Sequence, residues 1–97
     1  MPFAFALPLP PTGLSATKTI DGVLLSWNAN NETDVTGYNI YRRDINDSEY
    51  ELISENHNST EYFDTISVDE SYYYKITAKD SQDTSYDSLV VIVSASN

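Results

Sequence analysis

The chain has 97 residues and no cysteine, with 15 acidic against 5 basic side chains and a formal net charge of −10. That balance excludes the basic footprint that nucleic acid or an anionic membrane surface requires, and the cysteine count excludes a disulfide scaffold, a thiolate metal site and a redox dithiol. No stretch approaches the roughly 20 apolar residues of a membrane span, so membrane insertion is not expected.

Residues 1–11, MPFAFALPLPP, form an apolar, Pro-rich lead-in. It lacks the basic start of a signal peptide, although Ala4-Phe5-Ala6 has the small-x-small form of a cleavage site. Strand-like alternation puts Phe3, Phe5 and Leu7 on one side and Ala4 and Ala6 on the other. The segment is therefore a linker, a processing remnant or an extra strand. The composition shifts after Pro11, and residues 12–97 are expected to be one domain.

From there the text alternates short apolar runs with turn signals, and no 3.6-residue period emerges. GLSATKTI (13–20) is the first expected strand, Asp21-Gly22 a two-residue hairpin signal, and VLLSWN (23–28) the second strand. After the polar stretch 29–37 come YNIYRR (38–43), a turn at 44–49, and YELIS (50–54). ENHNST (55–60) is expected as a loop, EYFDT (61–65) as a strand and 67–71 as a corner. YYYKITAKD (72–80) is the longest alternating run; a loop at 81–87 and the strand SLVVIVSAS (88–96) close the chain. Seven strands at this spacing predict an all-β, antiparallel, immunoglobulin-like sandwich.

Side-chain parity then sorts the aromatics. Tyr72, Tyr74, Ile76 and Ala78 should face the core, and Tyr73, Lys75, Thr77 and Lys79 should face water. Val23, Leu25 and Trp27 share one face of their strand, as do Tyr38 and Ile40. Trp27 is the natural centre of the core, with Tyr38, Ile40, Tyr74 and Ile76 around it. Tyr72, at the strand's start, can bury its ring and bond backbone in the preceding corner through its hydroxyl, a tyrosine corner.

Taken in order, these pieces resemble a fibronectin type III domain of the kind found in secreted bacterial and archaeal proteins. The matching stretches are PPTGLSA (10–16), VLLSW (23–27), DVTGYNIYRR (34–43), YFDTISVDESYYYKITAKD (62–80) and TSYDS (84–88). Ile66 stands six residues before Tyr72, the family's spacing for the leucine under the tyrosine corner. Val68-Asp69-Glu70 departs from the family's Pro-Gly or Asn-Gly turn. The resemblance implies a non-catalytic module at the cell surface or outside the cell. Its expected partners are a protein or glycan, neighbouring domains, or copies of itself. Some members present Arg-Gly-Asp before the last strand; SQDTSYD replaces it here, so that activity is not implied.

No constellation for catalysis is evident, and no cofactor is expected. His57 stands alone in a polar loop and reads as a solvated residue, not a ligand or a base. Asp44, Asp47 and Glu49, or Asp80, Asp83 and Asp87, could in principle approach Ca²⁺, but neither set has the EF-hand spacing, and solvated turns are the expectation. Three Asn-x-Ser/Thr acceptors, at Asn31, Asn46 and Asn58, fall in expected loops. Arg42-Arg43 is the one local basic patch. It balances its acidic surroundings or, with Tyr41 and Tyr73 on the outer face, contributes to a binding surface.

LVVIV (89–93) is apolar on both parities, so one of the pairs Val91/Val93 and Val90/Ile92 should be exposed. Phe3, Phe5 and Leu7 could cover it, in the same molecule or a neighbour. Two functions follow: an extracellular interaction, adhesion or spacer module, and a self-assembling filament or surface-layer subunit that donates its lead-in as a strand.

Overall fold

The computed structural model describes residues 7–67 and 69–94. Among them are seven strands: β1 Ser15–Lys18, β2 Gly22–Ser26, β3 Gly37–Asp44, β4 Glu51–His57, β5 Glu61–Thr65, β6 Tyr72–Lys79 and β7 Val91–Val93. They form two antiparallel sheets, ordered β1-β2-β5 and β4-β3-β6-β7. The expected all-β sandwich is therefore the observed architecture.

The apolar sides of the two sheets face each other, and the core lies between them. Val23 and Leu25 come from β2, Tyr38 and Ile40 from β3, and Tyr72, Tyr74, Ile76 and Ala78 from β6, with Trp27 and Val93 completing the buried set. Ile66 is half-buried against this cluster. Trp27 meets Tyr38 edge to face, with ring centres 5.5 Å apart, an arrangement favoured by the aromatic quadrupoles.

The β1–β2 hairpin differs from its expected form by one residue. Lys18 pairs with Val23 and Thr19 N–H donates to the Gly22 carbonyl at 2.8 Å, so Ile20-Asp21 is the two-residue loop, not Asp21-Gly22. Gly22 is needed for a different reason: a Cβ there would collide with the Asp64 carbonyl of β5. The glycine lets β2 and β5 approach where the hairpin opens.

β4 runs three residues past the expected end at 54, and absorbs the first half of the segment expected as a loop. Its register against β3 shifts around Asn39. There Asn56 adopts a left-handed backbone, φ 52°, which asparagine tolerates better than most residues. The Asn39 side chain accepts the Asn56 N–H at 2.9 Å and fixes the bulge.

β7 is the main departure. A strand over 88–96 is expected, but only Val91–Val93 pairs with β6. Upstream, two serines replace the ladder. Ser88 Oγ accepts the Ile76 N–H at 2.9 Å and Ser85 Oγ accepts the Ala78 N–H at 2.8 Å. In return their own N–H groups donate to the Ile76 and Ala78 carbonyls. Hydroxyls compete with backbone for such bonds, so residues 84–90 follow the edge of β6 without becoming a strand.

Candidate functional site

The outer face of the β4-β3-β6-β7 sheet gathers a half-buried row of aromatic and basic side chains. Residues paired across an antiparallel ladder share a face. Tyr41 pairs with Lys75 and Arg43 with Tyr73. Tyr41 also pairs with Leu52, and Tyr73 with Ile92. These six therefore stand together, outward, where parity puts Tyr41 and Tyr73. Tyr50, two residues before Leu52, joins them through the cations. The Arg43 guanidinium carbon lies 4.3 Å from the Tyr73 ring centre and 5.5 Å from that of Tyr50. Lys75 Nζ lies 4.2 Å from Tyr50 and 5.7 Å from Tyr41. The order across the face is Tyr73, Arg43, Tyr50, Lys75, Tyr41. Each cation over a ring face contributes about 0.5–1 kcal/mol at an exposed site. Asp87 anchors Lys75 from the side at 2.9 Å, and Arg43 donates to the Asp47 carbonyl.

Arg42 corrects the reading of a basic pair. Alternation sends it inward, opposite Tyr74. Its Nη1 donates to both Asp64 carboxylate oxygens, at 2.9 and 3.0 Å. The Tyr74 hydroxyl donates to Asp64 Oδ2 at 2.6 Å. Asp64 comes from β5, so this polar triad joins the two sheets. Glu51 reaches Arg42 from the rim at 3.3 Å. Burial pushes the Arg42 pKa down, but the Asp64 hydrogen bond and charge outweigh it and the net direction is up. Burial, reinforced by Asp64, holds the Tyr74 hydroxyl protonated far above the usual tyrosine range. Arg42 is committed to the interior and leaves the binding candidates.

Two further readings change, and an open one is resolved. His57 is not a loop residue: it ends β4, opposite Tyr38. Its ring stands 5.3 Å from Tyr62 at 90° and 6.4 Å from Trp27, and its Nε2 donates to the Glu61 carbonyl at 2.6 Å. It is a wedge between the sheets. Thr77, expected in water, is buried with its hydroxyl unpartnered. Val91 and Val93 turn toward the core, leaving Val90 and Ile92 exposed. Phe3 and Phe5 lie outside the described residues. The tyrosine-corner contact falls on 67–71, which includes the undescribed residue 68; the Tyr72 ring is buried, and that burial raises its pKa.

The lead-in, as far as it is described, runs along the 28–32 loop. Leu9 N–H donates to Glu32 Oε2 at 2.7 Å and Asn30 Nδ2 donates to the Leu9 carbonyl at 2.7 Å. The Leu9 N–H holds the Glu32 carboxyl below the usual range. Beside this clasp, a hollow of about 460 Å³ opens between Asn30, Glu32, Thr36, Tyr38 and the 58–60 loop. The acidic turns are engaged locally: Asp80 Oδ1 accepts the Asp83 and Gln82 N–H groups, which lower its pKa, and Asp44 accepts the Asn46 N–H. Among the described residues no three carboxylate or imidazole groups converge as a metal cage would require.

Two antiparallel sheets in this strand order, with a buried Trp on the second strand's end and a Tyr-x-Tyr-x-Ile-x-Ala sixth strand, define a fibronectin type III fold, and solved structures agree. A fibronectin type III-like protein from Clostridium thermocellum superimposes with a TM-score of 0.78 at 29% identity, covering 95% of this chain and 97% of that one. The chicken interferon gamma receptor alpha chain gives 0.74 at 20% identity, over 89% of this chain and 43% of the receptor chain. Titin domains A168–A170 give 0.72 at 19%, over 91% and 32%. In the last two the fold is one part of a longer protein. No protein-family model and no curated protein matches the chain in sequence.

Proposed function

We propose that the chain is a non-catalytic extracellular interaction module, carried by a surface or secreted protein and engaging a protein or glycan, or spacing neighbouring domains. The observation that carries this reading is the outer sheet face, where Tyr41, Tyr50 and Tyr73 are held in place by Arg43 and Lys75. Aromatic and arginine side chains are the groups that most often anchor interfaces, and here they sit on strands, which hold a surface more rigidly than loops. The fold's occurrence within longer titin and receptor chains supports the modular part of the reading.

A second reading has its own observation. β7 is a three-residue edge strand whose middle residue, Ile92, is 54% exposed, with Val90 just before it 48% exposed. An apolar edge of this kind accepts a strand from a neighbour, and the lead-in segment Phe3–Leu7 has the alternation to supply one. The solution mass of the full chain and of a 10–97 truncation, by light scattering over a range of concentrations, separates the two. Monomers in both cases leave the interaction module. Oligomers or fibres from the full chain alone would make residues 1–9 an assembly strand.

A further inference from the structure

The chain is acidic, yet its basic residues are segregated. Of the five, Arg42 is turned inward onto Asp64 and Lys18 lies on β1 of the other sheet. The remaining three, Arg43, Lys75 and Lys79, all fall at outward positions of the adjacent strands β3 and β6. Leu52, Val90 and Ile92, exposed at 45%, 48% and 54%, flank them. The same face therefore carries positive charge, aromatic rings and open apolar side chains. Asp87 pairs with Lys75 at 2.9 Å beside these residues, and shares that cation with any incoming carboxylate.

That combination restricts the occupant. A neutral sugar would stack on tyrosine rings, but Tyr73 and Tyr50 each already hold a cation at 4.2–4.3 Å, and a sugar would have to displace it. A basic partner would meet three like charges. A second copy brings its own net charge of −10, and two such bodies repel. What the face complements is a local run of carboxylates with an apolar side chain among them. Cations oriented by a ring lose less freedom when they pair, so their hydrogen bonds to carboxylate oxygens form at lower entropic cost.

We propose that the outer face of the β4-β3-β6-β7 sheet docks an acidic protein segment, with Arg43, Lys75 and Lys79 receiving its carboxylates and Leu52 and Ile92 its apolar residue. This rests on the interaction-module reading and assigns that module its class of partner. The Tyr73 and Tyr50 rings position the cations. The exposed acids elsewhere on the domain oppose the approach of such a segment over distance. At an ionic strength of about 0.15 M the Debye length is about 8 Å, which confines that opposition to short range.

The test is an array of short synthetic peptides carrying carboxylates at alternate positions with each apolar residue in turn between them. A matched array replaces every carboxylate by its amide. Both are probed with the full chain at physiological salt. The acidic array should bind, and the amide array should not. The double variant Arg43→Gln/Lys75→Gln should weaken binding by roughly three- to tenfold, whereas Lys18→Gln, on the other sheet, should leave it unchanged. Thermal midpoints of both variants, matched to the parent, establish that they fold.

Equal binding of both arrays, or wild-type affinity in the double variant, overturns the proposal. Neutral glycan binding that is lost on Tyr73→Ala also overturns it while preserving an interaction module at this face. Concentration-dependent self-association that the double variant abolishes assigns the face to a second copy and overturns it equally. Failure of peptides, glycans and copies alike to engage the face removes both the proposal and the binding part of the reading beneath it, and leaves only the spacer.

Discussion

Tyr74 donates its hydroxyl to Asp64 at 2.6 Å across the sandwich, and the same carboxylate takes both hydrogen bonds from Arg42 Nη1. One acid from β5 thus ties two strands of the opposite sheet. Removing a buried partner leaves a charge uncompensated, which is why such deletions cost more than the intact pair contributes. Asp64→Ala should destabilise by about 3–5 kcal/mol, read from urea unfolding. Tyr74→Phe removes one neutral donor and should cost about 1–2 kcal/mol. A smaller loss in Asp64→Ala than in Tyr74→Phe would show that Arg42 escapes to solvent when its partner is gone.

The buried tyrosines set the alkaline limit of stability. Burial raises the pKa of both Tyr72 and Tyr74, the latter further through Asp64. The unfolded chain releases these protons near pH 10; the folded chain holds them. Their contribution is therefore complete below about pH 10 and is lost as pH rises above it. Tyrosinate absorbance should show a late phase that coincides with unfolding, seen by circular dichroism. Tyr74→Phe should shrink that phase. A phase that survives in both Tyr74→Phe and Tyr72→Phe would place the late proton elsewhere.

The acid limit follows from Glu32 and Asp80, whose carboxyls are held below their ordinary range by backbone N–H groups. With folded values depressed, the sign is reversed. Their stabilisation is present above about pH 4 and disappears as pH falls through the lower folded values. Glu32→Gln and Asp80→Ala should each flatten the fall of the thermal midpoint between neutral and acid pH. An unaltered slope in both variants would put the acid sensitivity on other carboxylates.

The sandwich was legible because β-parity is a local signal. Tyr72, Tyr74, Ile76 and Ala78 alternate in the text and are buried in the structure. Carrying that alternation from Tyr38 and Ile40 two residues further would have turned Arg42 inward. The eye instead reads Arg42-Arg43 as a patch, because adjacent like charges look alike in sequence and point apart in a strand. Asp64 carried no such signal: its partners lie 22 and 10 residues away, and nothing in EYFDT marks one acid as buried. Tyr50 was missed as a site residue for a similar reason. It precedes β4, and only the fold brings it between Arg43 and Lys75. His57 was hidden by the polar Asn-rich text around it, since the Asn56 bulge that extends β4 depends on Asn39, a strand away.

The serine hooks at Ser85 and Ser88 explain why an apolar run failed to become a full strand, and they make the last prediction. Each hydroxyl accepts a buried β6 N–H, from Ala78 and Ile76 respectively. Alanine at either position leaves that donor without a partner inside the protein, at a cost of about 1–3 kcal/mol. The loss should be local before it is global, because β7 is short and has little to hold it against β6. Amide exchange of Ile76 should therefore accelerate in Ser88→Ala, and that of Ala78 in Ser85→Ala. Exchange at Ile40 and Leu25, deep in the two sheets, should follow only the global stability. If Ser88→Ala speeds all four amides equally, the 84–90 segment opens together with the whole sandwich. Selective acceleration would mean that this edge of β6 opens independently of the rest of the sandwich.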